Sequence, residues 1–134
     1  MQNNAHDGKA VEYPSAFGFS ETVDRLRHTI KNAGLHIFAE IDHAAGAAEA
    51  GLHMDPSMVI LYGSPAGGTP AMLAVPVAAL DLPLRVLIRE RTDGVVVIAF
   101  HPAEAMLRDD GVPVEIASRL TRAQEMLIEA ISPK

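Results

Sequence analysis

Gly63-Ser64-Pro65-Ala66-Gly67 fits the G-x-S-x-G string, and it is the one place in the chain where a hydroxyl nucleophile is suggested by its neighbours. His36, His43 and His101 are candidate bases for Ser64, with Glu40 or Asp42 as the orienting carboxylate. A nucleophile elbow requires a sharp strand-to-helix turn at the serine itself, whereas the helix-start signal is read five residues later, at Thr69-Pro70. Serine catalysis is therefore a pattern without its expected context. The same stretch, Gly63 to Thr69, also offers a glycine-rich turn before a helix start, where backbone N–H groups and a partial positive charge can receive an anion. It lacks the lysine of a phosphate-binding loop, and Pro70 removes one donor. The alternative is punctuation alone, with Gly63, Gly67 and Gly68 shaping a turn and Thr69 capping a helix.

Metal chemistry finds less support. His36, Glu40 and Asp42 would share one face of a strand, but His43 lies at an odd offset from His36, and no His pair stands at ligand spacing. No metal and no cofactor is expected. Arg85, Arg89 and Arg91 would share a face of another strand, where they read as a solvated surface, or as a dimer surface or acidic-ligand site.

These residues need a scaffold, and 134 residues suffice for one domain with its own core. Aromatic residues are only 4% of the chain and tryptophan is absent, so Leu, Ile, Val, Ala and Met must fill that core and base-stacking platforms are not expected. The formal charge of -6 opposes binding to a phosphate backbone, so nucleic acid is not an expected partner. The lack of cysteine removes disulfides, thiolate catalysis and thiolate metal sites. Residues 1–10 are polar and read as a mobile segment, with a single domain over 11–134. No secretory or membrane-spanning stretch is recognised, which reads as a cytoplasmic protein without a membrane partner.

Val11 to Phe17 reads as a short strand that Pro14 confines to an edge or bulge. Ser20 as N-cap, Val23, Leu26, Ile30 and Ala33 at helical spacing, and Gly34 beyond them predict a helix over 20–33. Leu35 to His43 alternates, with Leu35, Ile37, Ala39 and Ile41 inward and His36, Phe38, Glu40 and Asp42 outward. A short helix over 44–51 follows, and then an uninterrupted apolar strand, Met58 to Tyr62, that reads as buried on both faces. Thr69-Pro70 predicts a helix over 70–80, kinked near Pro76. Asp93-Gly94 between Leu84–Arg91 and Val95–Phe100 marks a hairpin whose two turn residues tolerate positive φ. A last helix from 113 or 114 carries Ile116, Leu120, Ala123, Leu127 and Ile131 as one stripe. The segregated order indicates an α+β fold, a two-layer arrangement with an antiparallel-rich sheet and helices on one face.

Phe19-Ser20-Glu21-Thr22-Val23, Gly34 through Asp42, Gly63-Ser64-Pro65, Gly68-Thr69-Pro70, Leu82-Pro83-Leu84 and Phe100-His101-Pro102 together make residues 19–108 resemble the DUF302 family of small uncharacterised domains. The resemblance implies a β-α-β4-α topology and a homodimer, and no established reaction. It departs from the family at Ser64, where Asn is frequent, and at His101, where Asp often precedes the proline. On this basis a small homodimeric binding or accessory module is expected, for a small polar or anionic ligand. The expected ligand site is Gly63, Ser64, Gly67, Gly68, Thr69 and His101, beside an apolar wall of Tyr62 and Met72. The alternative is a small hydrolase or lyase using His101 or Asp42 as acid-base residue.

Overall fold

The computed structural model describes residues 9–133, so the expectation of a mobile segment over 1–10 falls mostly outside the described residues. Five strands, β1 (Val11–Pro14), β2 (His36–Asp42), β3 (Ser57–Gly63), β4 (Leu84–Glu90) and β5 (Val96–Phe100), form one antiparallel sheet in the order β1-β5-β4-β3-β2. Six α-helices accompany them: α1 (Phe19–Asn32), α2 (His43–Glu49), α3 (Pro65–Ala74), α4 (Ala103–Asp109), α5 (Val114–Ala117) and α6 (Thr121–Ala130). This is the α+β arrangement that the element order indicates. Pro14 ends the edge strand β1, where its missing N–H breaks no interior ladder.

The register sorts the core. Met58, Ile60 and Tyr62 of β3 lie opposite Ile88, Val86 and Leu84 of β4, and this face meets Leu26 and Ile30 of α1 and Leu127 of α6 in a single apolar cluster. The other face of β3, Val59 and Leu61, is only half-buried, so the strand is not enclosed on both sides as its unbroken apolar run suggests. Helix α1 begins at Phe19 with Gly18 at its N-cap, which places Ser20 inside the helix and not at its cap. Its end follows the glycine signal: Gly34 has φ +78°, and Gly34 and Leu35 N–H donate to the Lys31 and Ile30 carbonyls.

Two local differences from the alternation matter for the site. The β2–β3 register slips between Ile37 and Ala39, leaving Phe38 as the extra residue of a bulge. The slip turns Glu40 to the helix side, opposite Ile60, where it meets Arg27 of α1 at 2.6 and 2.8 Å, and turns Ile41 to the other face, where it is exposed. Alternation alone places them the other way round. In the hairpin, Gly94 has positive φ while Asp93 does not; the Asp93 carboxylate instead accepts the Val95 N–H at 3.0 Å, and the loop is one residue longer than a two-residue turn.

The third helix starts earlier than Thr69-Pro70 predicts. Ser64 is the N-cap, its Oγ accepting from Gly67 N–H at 3.1 Å, and Pro65 takes the first helical position. The helix runs through Gly67, Gly68, Thr69 and Pro70 to Ala74, and a 3₁₀ segment over Pro76–Asp81 follows the break at Val75. The C-terminal rod is likewise interrupted, α5 and α6 being joined by 3₁₀ residues Ser118–Leu120, yet its apolar stripe still packs into the core.

Candidate functional site

The strand-to-helix junction at Ser64 opens onto a groove of about 530 Å³. Gly63, Ser64, Gly67, Gly68 and Thr69 line it together with Tyr62 and Met72. The opposite walls come from distant parts of the chain: Leu35 and Phe38 before and within the β2 bulge, Leu82-Pro83 beside β4, and Arg119, Leu120 and Ala123 from the C-terminal rod. His101 does not line this groove. It lies in a recess of about 10 Å³ with Asp81, Arg85, Met106 and Gln124, separated from the groove by Leu84, which faces both.

The glycines here differ in what a side chain would meet. A Cβ on Gly67 would stand 3.4 Å from Leu120 Cδ2 and from Ser64 Oγ, and one on Gly68 would stand 3.5 Å from Leu82 Cδ1. Both are ordinary van der Waals distances, so a methyl group at either position would pack against the C-terminal rod or the Leu82-Pro83 segment. Gly63 has a backbone requirement instead, with φ +151°, and a Cβ there would lie 3.9 Å from Pro83 and 4.0 Å from the Phe38 ring.

Donors for an anion are few at the start of α3. Pro65 has no N–H, the Gly67 N–H is held by the Ser64 cap, and Gly68 N–H donates to the Ser64 carbonyl at 3.0 Å. A turn that cradles an anion with successive N–H groups is therefore not what Gly63 to Thr69 forms. The polar side-chain groups left in the groove are the Ser64 and Thr69 hydroxyls and the Arg119 guanidinium. Tyr62 is fully buried, burial pushes its hydroxyl above the usual phenol range, and that hydroxyl has no hydrogen-bond partner among the described residues.

The acid-base candidates are dispersed. Ser64 sits at φ -146° and ψ 150°, ordinary extended backbone without the strain of a nucleophile elbow, although the strand-to-helix turn does fall directly at it. Asp42 caps α2 by accepting Ala45 N–H at 2.8 Å, which makes His43 the first residue of that helix and removes it from the strand. Glu40 is held by Arg27, the hydrogen bond and charge of which lower its pKa. His36 is the cross-strand partner of Gly63, at the edge of the sheet. Asp42 and His101 belong to the ends of β2 and β5, strands with β3 and β4 between them. Arg89 of β4 and Arg91 just after it do not pair with Glu40 or Asp42 either: Arg89 bonds Glu12 of β1 at 3.0 Å, and Arg91 pairs with Asp93 in the hairpin turn.

His101-Pro102 has a structural anchor. Buried Gln124 of α6 accepts Ala103 N–H and donates to the His101 carbonyl, each at 2.8 Å, fixing the exit of β5 to the C-terminal rod. Beside this recess the Asp110 carboxyl is pushed up to about 6, first by its hydrogen bond with Asp81, then by burial and by the charges of Asp81 and Asp109. One Asp110 oxygen is buried with no donor while both groups are ionised, which is the situation a shared proton relieves. Neither aspartate carries a motif in the sequence. Among the described residues no group of three or more His, Asp or Glu could hold a metal ion.

Comparison with known proteins bears on the whole arrangement. The family model described as "Domain of unknown function DUF302" matches residues 11–132. An uncharacterised conserved DUF302 protein of Bacillus stearothermophilus has a similar structure, with a TM-score of 0.83 at 16% identity, covering 92% of this chain and 98% of that one. Proteins named fluoride-specific ion channel FluC 1 from Brucella suis biovar 1 (strain 1330) and Brucella abortus biovar 1 (strain 9-941) are each 38% identical over 88 residues, 66% of this chain. The match spans about a third of the length of those relatives, 35% and 33%. No helix among the described residues is long and apolar enough to cross a membrane.

Proposed function

The chain belongs to the DUF302 family, and we propose that it is a homodimeric, cytoplasmic binding or accessory module whose ligand occupies the groove at the β3–α3 junction. The groove itself carries this proposal. Its volume of about 530 Å³ falls in the range of small-molecule sites, and its walls are apolar side chains with a handful of polar groups among them. Five of the six residues expected from the sequence line it, and they do so on a helix start held by Ser64. His101 belongs to the neighbouring recess and is assigned a structural role at the end of β5.

Self-association is supported by an uncharged surface. From Pro65 to Leu80 there is no charged residue, and Leu73, Val77 and Leu80 are exposed at 79%, 56% and 83%. In a chain of net charge -6, a charge-free apolar strip is the surface on which two like-charged copies meet with least repulsion. Sedimentation should give a dimer in the wild type and a monomer in the Leu73→Glu, Leu80→Glu double variant; a wild-type monomer at micromolar concentration overturns the dimer. The accessory role draws on the relatives named as fluoride channels, in which a region like this one makes up about a third of a longer chain. Channel activity is not part of the proposal.

Ligand binding is tested by thermal melting against small amphipathic compounds. A melting shift in the wild type that disappears in Gly68→Val supports the groove, since the added methyl groups start 3.5 Å from Leu82 Cδ1 and grow into the space. Equal shifts in both proteins exclude it.

A further inference from the structure

We infer that the ligand class of this groove is an amphipathic carboxylate, an aliphatic body ending in one anionic head, with Arg119 as its counter-ion. This rests on the groove being the binding site. The body is set by the walls: Leu35, Phe38, Met72, Leu82, Leu120 and Ala123 present carbon surfaces with nothing to hydrogen-bond. A ligand polar over its whole length would lose its hydration there without recompense.

The head is set by charge. Arg25, Arg27, Arg89, Arg91, Arg108 and Arg122 each lie within ion-pair distance of a carboxylate. Arg119 and Arg85 have no such pair among the described residues, and of these two only Arg119 lines the groove. An exposed guanidinium with no ion pair among the described residues, in a chain with 17 acidic residues against 11 basic ones, leaves a single positive charge at the rim of an apolar cleft. Its planar fork matches a carboxylate with two parallel hydrogen bonds. The α3 start supplies little competing recognition for a phosphate-like trianion, because Pro65 has no N–H and the Gly67 N–H is engaged by Ser64. The Ser64 hydroxyl accepts from Gly67, and its own hydrogen is available for a carboxylate oxygen. Lining by Thr69 adds a second hydroxyl on the same helix.

The test compares decanoate, decanol and decyltrimethylammonium, all below micelle-forming concentration, by isothermal titration against the full chain. Decanoate is expected to bind about tenfold more tightly than the other two, the difference made by one charge-assisted contact. Arg119→Gln should bring decanoate down to the affinity of decanol, while Arg122→Gln, which does not line the groove and is paired with Glu129, should leave it unchanged. Equal affinity for decanoate and decanol in the wild type, or an equal loss in Arg122→Gln, overturns the carboxylate assignment and leaves the groove as an apolar site. No binding of any of the three overturns the groove as well. Gly68→Val, which keeps Arg119, separates the two: it should abolish binding of all three, and retained decanoate binding there would mean attraction to charge outside the groove, against the inference.

Discussion

Replacing Tyr62 with phenylalanine should make the ligand-free protein more stable. Tyr62 has no exposed surface, and its hydroxyl is buried without a hydrogen-bond partner among the described residues. A buried hydroxyl that has given up water and gained nothing costs about 1–3 kcal/mol. Deleting one oxygen leaves a gap smaller than a methyl group, and the lost dispersion contacts offset a few tenths of a kcal/mol. The net gain is about 1 kcal/mol or somewhat more. With an unfolding entropy of roughly 2.1 cal/mol/K per residue, a chain of 134 residues should then melt about 3–4 °C higher per kcal/mol. Urea denaturation with an unchanged slope is the direct measurement, since only the midpoint should move. A second signature appears in alkali. Because burial raises the folded-state pKa of this phenol, its stability contribution is complete below the unfolded pKa of about 10 and is lost as pH rises beyond it; Tyr62→Phe should remove that alkaline loss. A variant that is less stable by 1 kcal/mol or more would mean that the hydroxyl is hydrogen-bonded in solution, and would refute the account of Tyr62 as an unsatisfied group in the groove wall.

Three further outcomes follow from local geometry. Ser64→Ala should lose about 1 kcal/mol through the missing cap on Gly67 N–H, while Ser64→Asp should keep it; equal loss in both, by urea denaturation, would deny the capping role. Gly68→Ala should stabilise by roughly 0.5–1 kcal/mol, because the position is helical and its new methyl meets Leu82 at an ordinary 3.5 Å, whereas Gly63→Ala should destabilise at φ +151°; the reverse order in thermal melting would contradict the helix start at Pro65. Asp110, with its pKa raised to about 6, contributes stability that is complete below its unfolded value and is lost as pH rises through the folded one, so stability should fall between about pH 4 and pH 6. Asp110→Asn should flatten that fall, and an unchanged pH profile would separate Asp110 from Asp81.

Most of the scaffold is legible in the sequence because its signals are local. Val23, Leu26 and Ile30 repeat at helical spacing before a glycine that does adopt positive φ, and the hairpin is centred on Asp93-Gly94. The β2 faces are not legible, since a bulge at Phe38 inverts the meaning of every later position and leaves the alternation itself intact. The start of α3 is ambiguous for a physical reason: Ser64-Pro65 and Thr69-Pro70 are equally good cap-plus-proline signals. Two glycines between them read as a turn when only local propensity is weighed. The helix takes the earlier start, with Ser64 as its cap and Pro65 at its first position, and Gly67 and Gly68 lie within it against Leu120 and Leu82.

The groove illustrates a deeper asymmetry between sites that react and sites that hold. A catalytic constellation announces itself by unusual residue types at particular spacings, which is why Ser64, His101 and Asp42 can be picked out from the chain alone. An apolar binding groove is made of the residues that make a core, so Leu82, Leu120 and Ala123 cannot be told from core positions by composition or period. What distinguishes them is a missing layer: these side chains are brought together from residues 35 to 123 and then left with space against them. Arg119 is the exception that composition can reveal, a positive charge on a C-terminal rod whose other exposed arginine, Arg122, holds Glu129 at 2.9 Å. The unpaired cation and the uncovered apolar wall are separately unremarkable. Their meeting at one helix start, across nearly ninety residues of sequence, is what the proposed carboxylate site rests on.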